Sequence, residues 1–175
     1  IGEQLDLPRF AHKQIAKWLY TRFVTDIDAM TDLSKVARER LKEQCDLGLS
    51  APLKVSTSSD GTKKYLFATS EDEYIESALI PDGERMTLCV SSQAGCRMGC
   101  KFCATGRMGL RHSLSSTEII NQIISIPERD KLTNLVFMGM GEPLDNIDNL
   151  MLTLDILTSE WGMAWSPTRI TVSTS

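Results

Sequence analysis

The 175-residue chain is expected to be an α/β protein, with a small helical domain and a short antiparallel β-meander preceding a parallel-stranded core. Three observations carry that expectation. Apolar residues recur at helical spacing over residues 8–45 and alternate over 53–80; from Met86 onward strand, loop and helix follow one another repeatedly. Alternating strands and helices imply a parallel sheet with right-handed crossovers. The sequence therefore divides into 1–50 (helical), 51–81 (meander and link) and 82–175 (core).

In the helical domain Ala11, Ile15, Trp18 and Leu19 form one stripe, with Lys13 and Lys17 on the other side. Ser34 caps a second helix through about Gln44, with Val36, Ala37, Arg40 and Leu41 along one side. Acidic and basic residues balance here, as on a solvated surface, and Cys45 reads as a packed residue. Gly48 to Pro52 is a linker. Asp60-Gly61 then turns a hairpin between Leu53–Ser58 and Thr62–Ala68, and Glu71–Glu73 precedes a third strand. Alternation puts Tyr74, Glu76, Ala78 and Ile80 on one face of it. A carboxylate among apolar neighbours is uncommon, and an edge position reaching water is the ordinary explanation.

Met86–Ser91 reads as the first core strand. Ser115-Ser116-Thr117-Glu118 is a capping box opening a helix with Ile119, Ile120, Ile123 and Ile124, stopped by Pro127. Leu132–Met138 is the second core strand and leads to Gly139-Met140-Gly141-Glu142-Pro143. A helix with Ile147, Leu150, Met151, Leu154 and Leu157 follows, then the third strand, Arg169–Ser173. In parallel sheets ligands bind at the carboxyl ends of the strands. The loops after all three strands are expected to meet there.

Composition excludes some functions. Apolar residues make up 42% and charged residues 24%, no apolar run approaches a membrane span, and no signal-peptide pattern opens the chain. A cytoplasmic protein with no membrane partner is expected, its five cysteines kept reduced. A net charge of −4 gives no bulk support for a nucleic-acid partner. Residues 97–112 nevertheless hold Arg97, Lys101, Arg107 and Arg111 with no acid. Those charges either balance an anionic centre or meet a phosphate backbone.

That centre is suggested by Cys96, Cys100 and Cys103, spaced C-x3-C-x2-C. Three thiols cannot all pair with one another, and zinc would need His112 as a fourth ligand, which lacks metal-ligand spacing. Three cysteines do suit a [4Fe-4S] cluster whose fourth iron is left open to a ligand. A ligand with an amine and a carboxylate could chelate that iron, and Gly139, Gly141 and Glu142 offer close backbone and an acceptor for the amine. Ser173 is either a further hydrogen-bonding group or an ordinary strand-end serine.

The string TLCVSSQAGCRMGCKFCATGRMGL, with MGMGEPLDN and TVSTS, resembles the radical S-adenosylmethionine (SAM) enzymes, and among them the RlmN/Cfr family of RNA methyltransferases. The resemblance spans essentially the whole chain. It implies a partial (β/α)6 radical SAM barrel, ending after its third strand, so the chain is expected to be a fragment. It assigns Cys96, Cys100 and Cys103 to the cluster, Gly141, Glu142 and Ser173 to SAM, Cys89 to catalysis and Glu76 to proton acceptance. An apolar face would raise the pKa of Glu76, as a general base needs. The substrate implied is an adenosine of 23S rRNA and of tRNA, methylated at C2; relatives acting on C8 tend to carry alanine at position 143 and isoleucine at 175, where this chain has Pro143 and Ser175.

In the implied mechanism a second catalytic cysteine is methylated by one SAM, and a 5′-deoxyadenosyl radical from another SAM activates that methyl group. The carbon radical adds to the ring, a proton is lost, and Cys89 releases the RNA, leaving a disulfide to be reduced. An external flavodoxin-like electron donor and a monomeric enzyme are implied with it. No cysteine follows Cys103, so the second cysteine is expected beyond Ser175, and these residues alone are expected not to complete methylation. A radical SAM activase acting on a protein, and a non-enzymatic iron–sulfur module, are the rival readings.

Overall fold

In a computed structural model of the chain, residues 7–175 are described, apart from the side chain of Arg9. They form two compact units. The first holds the described residues up to Leu49 together with Asp155–Trp165; the second holds Ser50–Leu154 and Ser166–Ser175.

In the first unit, α1 (Arg9–Tyr20) and α2 (Lys35–Gln44) flank a 3-10 turn at Ile27–Ala29. The Ser34 hydroxyl accepts from Ala37 N at 3.2 Å, which fixes the start of α2. Ala11, Ile15, Ile27, Met30, Leu33, Ala37 and Leu41 make the core, with Trp18, Leu19 and Cys45 packed against it. Cys45 is thus the packed residue expected. Val36, placed on the buried side by its sequence, is exposed instead. It lies one residue before Ala37, about 100° round the helix. Trp161 meets the Tyr20 ring edge-on, 6.1 Å between centroids.

The second unit is built on one six-stranded sheet, ordered β1-β2-β3-β4-β7-β8. β1 (Lys54–Thr57), β2 (Lys63–Ala68), β3 (Tyr74–Asp82) and β4 (Arg85–Cys89) are antiparallel neighbours. β7 (Asn134–Phe137) and β8 (Ile170–Val172) then run parallel to β4. The meander is therefore continuous with the parallel strands: Ala78 of β3 lies opposite Cys89 of β4. Between β4 and β7 come β5 (Gln93–Ala94), α3 (Ala104–Arg107), β6 (His112–Ser113) and α4 (Ser116–Ile124); α5 (Ile147–Thr158) links β7 to β8. Helices and a mixed sheet in this order agree with the α/β class and the antiparallel meander expected from the sequence.

One face of the sheet is closed. Tyr65, Phe67, Ile75, Leu79, Leu88, Leu135 and Phe137 point into it and are all nearly inaccessible. The Tyr65 hydroxyl donates to Glu128, just beyond α4, at 2.5 Å. The capping box of α4 forms as its sequence predicts, Ser115 and Glu118 each accepting from the other's backbone N–H. By register the opposite face carries Lys64, Glu76, Ala78, Cys89, Val136 and Thr171, none of them buried.

Candidate active site

The loops after β4, β7 and β8 meet at the carboxyl ends of those strands. Gly139 N donates to Val90 O at 3.1 Å, Ser92 N to Met140 O at 2.8 Å, and Met140 N to the Ser91 hydroxyl at 2.9 Å. Gly141 has a φ of +99°, in the left-handed region. A Cβ there would stand 2.6 Å from Gln93 Cβ and 2.7 Å from Gln93 N. At Gly139 it would stand 2.7 Å from Val90 O. Both glycines therefore allow this loop to lie against residues 90–93, a role distinct from the ligand approach their sequence suggests.

Glu142 is 7% exposed and its carboxylate is fully engaged. Oε1 accepts from Leu144 N at 3.1 Å and from the Thr174 hydroxyl at 2.6 Å; Oε2 accepts from the Ser175 N–H and hydroxyl, each at 3.2 Å. Burial raises its pKa, but these donors outweigh burial and hold it below the usual carboxylate value. Ser173 is exposed, and its two successors, not Ser173 itself, reach Glu142.

The cysteine loop folds back on itself, Cys96 N donating to Gly109 O at 3.1 Å and Arg111 N to Ala94 O at 2.9 Å. Cys96 is buried and Cys100 and Cys103 are partly so; all five cysteines are free thiols. The Gly106 amide, then burial acting against it, then the Thr105 amide and hydroxyl and Arg107 set the Cys103 thiol, which lies below its ordinary value. Arg97 Nε pairs with Asp145 Oδ2 at 2.8 Å, and Gln93 Nε2 donates to the same oxygen at 2.9 Å. His112 is held by Glu118 at 3.0 Å, not directed at the cysteines.

Cys89 is half-buried, and burial raises its thiol pKa, partly offset by the Met138 amide. It shares a sheet face with Glu76, since Ala78 opposite Cys89 is two residues from Glu76. The desolvation expected of Glu76 is not found. Its side chain is 44% exposed and Oε1 pairs with Lys64 Nζ at 2.9 Å, while Tyr74 and Ile80 on the same face are also exposed. Alternation correctly groups those residues, but the face that is buried is the other one.

Several residues that hold the site together carry no sequence motif. Gln122, with no accessible surface, accepts from Ser91 N and donates to Ser91 O, each at 2.9 Å. Asn146 donates to Ser92 O at 2.9 Å and Leu114 O at 2.7 Å. Their signal was only that of polar residues on apolar helices or after a glycine loop.

These residues fit the groups the sequence implies. Three free thiols lie on one loop without a competing histidine, and the buried Ser92 hydroxyl beside Gly141 lacks a hydrogen-bond partner. Among the described residues no three His, Cys, Asp or Glu side chains are gathered as one metal ion would need. A four-iron cluster takes each thiolate at a different iron, so its ligands need not converge on a point.

Comparison with known proteins accords with this geometry. Residues 2–47 match the family model described as the ribosomal RNA large subunit methyltransferase N-terminal domain, and residues 90–175 match the radical SAM superfamily. A relative in Phocaeicola vulgatus, named probable dual-specificity RNA methyltransferase RlmN, is 58% identical over 99% of this chain and 50% of its own length. One in Geotalea uraniireducens, named dual-specificity RNA methyltransferase RlmN, is 46% identical over 95% of this chain and 49% of its own. The crystal structure of a radical SAM methyltransferase from Sphaerobacter thermophilus superposes with a TM-score of 0.90 at 40% identity, covering 99% of this chain and 53% of that one. The chain spans about half the length of the curated relatives it matches. Its two consecutive family matches, and relatives of one name along nearly its whole length, make this chain similar to the first half of the RlmN methyltransferases of the radical SAM superfamily.

Proposed function

We propose that the whole protein containing this chain is a radical SAM methyltransferase that modifies C2 of an adenosine in 23S rRNA and in tRNA, through a methyl-cysteine intermediate. The observation that carries the reading is the joining of the cysteine loop to the glycine–glutamate loop through Arg97, Asp145 and Gln93. Cys96, Cys100 and Cys103 would hold a [4Fe-4S] cluster and Gly141, Glu142 and Ser173 would hold SAM, which together supply a 5′-deoxyadenosyl radical when bound. An ammonium group on Glu142 must displace one of the Thr174 or Ser175 donors, and the two hydroxyls are the donors free to rotate away.

Cys89 supplies the thiol that releases the product. Held protonated by burial, it needs a base or a conformational change before it attacks. Glu76 Oε1 is engaged by Lys64, leaving Oε2 to accept the proton lost from the ring. The methyl-bearing cysteine has no candidate after Cys103 in these residues. The choice of C2 over C8 rests on the resemblance at Pro143 and Ser175, and Ser175 gives Glu142 both its N–H and its hydroxyl. A flavodoxin-like electron donor, action as a monomer and a cytoplasmic location complete the proposal.

The test is anaerobic reconstitution of the full-length protein with iron, sulfide, SAM and a reductant, with a tRNA or a 23S rRNA fragment as substrate. Nucleoside analysis should yield 2-methyladenosine and 5′-deoxyadenosine. Finding 8-methyladenosine, or no modified adenosine at all, would sink the reading. A Cys89→Ala variant should stay covalently attached to RNA; an unattached product would remove Cys89 from the release step.

A further inference from the structure

The basic stretch 97–112 admits two explanations from sequence, charge balance around the cysteines or contact with phosphates, and the structure separates its members. Arg97 is already neutralised: its Nε bonds Asp145 at 2.8 Å. Lys101, Arg107 and Arg111 are all exposed, and among the described residues none of them has an ion-pair or side-chain hydrogen-bond partner. No acid lies between residues 97 and 112 to pair with them. They belong to one compact loop, closed by Cys96 N to Gly109 O and by Arg111 N to Ala94 O. That loop stands at the edge of the sheet where the glycine–glutamate loop and the end of β8 also meet.

We infer that Lys101, Arg107 and Arg111 form a phosphate-binding rim that grips the RNA strand on either side of the target nucleotide. The inference rests on the proposed RNA substrate and names the surface that would engage it. A base entering this edge brings its flanking phosphates over the same loop, where three unpaired cations in a chain of net charge −4 are the local attraction. Phosphate contacts carry no base information, so the rim sets position and affinity and leaves sequence choice to other groups.

The test measures binding of a fluorescein-labelled RNA stem-loop with an unpaired adenosine to the full-length protein, by anisotropy from 50 to 300 mM salt. Each phosphate contact contributes roughly 0.7–0.9 to the slope of log K against log salt. The triple variant K101Q/R107Q/R111Q should therefore lower the slope by about 2–3. A charge-matched variant, K35Q/R40Q/K131Q, should leave it unchanged; these side chains are exposed and remote in sequence from the cysteine loop. Should the triple variant misfold, each single variant should lower the slope by about 0.7–0.9.

Salt-dependent binding of the unaltered protein with an unchanged slope in the variants would overturn the rim and leave the RNA reading intact. Equal losses in the charge-matched variant would overturn it too, since net charge alone would then explain the effect. An unchanged slope with slower cluster reduction by an acidic electron-transfer protein would assign the patch to that donor instead. No binding by the unaltered protein would overturn the substrate reading, and the rim with it.

Discussion

Replacing Gly141 by alanine separates the two roles a glycine can have in this loop. At φ +99° an alanine is strained by about 1–2 kcal/mol. Its Cβ would also lie 2.6 Å from Gln93 Cβ and 2.7 Å from the Gln93 backbone nitrogen, an overlap with atoms that cannot swing aside. Overpacking of this kind costs about 1–3 kcal/mol more. Gly83 is the internal control: its φ is +57° and a Cβ there meets nothing within 4 Å, so Gly83→Ala isolates the backbone strain. Part of that strain is recovered, about 0.4–1 kcal/mol, because alanine restricts the unfolded chain. Strain and recovery are shared by the two variants, so Gly141→Ala should be less stable than Gly83→Ala by the overpacking alone, about 1–3 kcal/mol, which for a chain of this size lowers the melting temperature by about 2–12 °C. Thermal unfolding followed by circular dichroism measures the difference. Equal melting temperatures, with SAM binding lost only in Gly141→Ala, would show that the glycine exists for ligand approach and would refute the packing argument.

Other outcomes follow from the same contacts. Gln122→Met preserves size but strands the Ser91 N–H and C=O, and should destabilise by about 2–5 kcal/mol in urea unfolding. Arg97→Ala should loosen the cysteine loop without unfolding the protein, seen as faster proteolysis between Cys96 and Arg107; Asp145→Ala, which also removes the acceptor of Gln93, should do at least as much, and the double variant no more than Asp145→Ala alone. Glu118 has a pKa of about 2: burial would raise it, but the Ser70 and Ser115 amides, His112 and the Ser115 hydroxyl outweigh burial. A lowered carboxylate pKa contributes stability above its unfolded value, and that contribution is lost as pH falls through the folded value. The stability gap between the native chain and Glu118→Gln should therefore hold at neutral pH and close between about pH 4.5 and about 2. With no metal present, iodoacetamide at pH 8 should alkylate Cys103 well before Cys89, since one thiol is lowered and the other raised; mass mapping that finds Cys89 first would contradict the burial of its sulfur.

The sequence by itself determined what depends on neighbours along the chain. The α4 capping box uses residues three apart, the Asp60-Gly61 hairpin is a local turn, and the order of strands and helices follows from short periodicities. The three cysteines and the glycine–glutamate loop were legible for the same reason. Alternation also grouped Glu76 with Tyr74, Ala78 and Ile80, because the pleat requires it. Which face the protein covers depends on what packs there. Tertiary structure closed the face of Ile75 and Leu79 and left Glu76 to pair with Lys64. The partners that shape the site join residues far apart in sequence: Gln122 with Ser91, Arg97 with Asp145, Thr174 and Ser175 with Glu142. A hydrogen bond between distant segments leaves no periodic trace, since it forms only once the sheet has brought the strand ends together. The sequence thus named the groups able to do chemistry, and the fold decided which of them are engaged, buried or exposed.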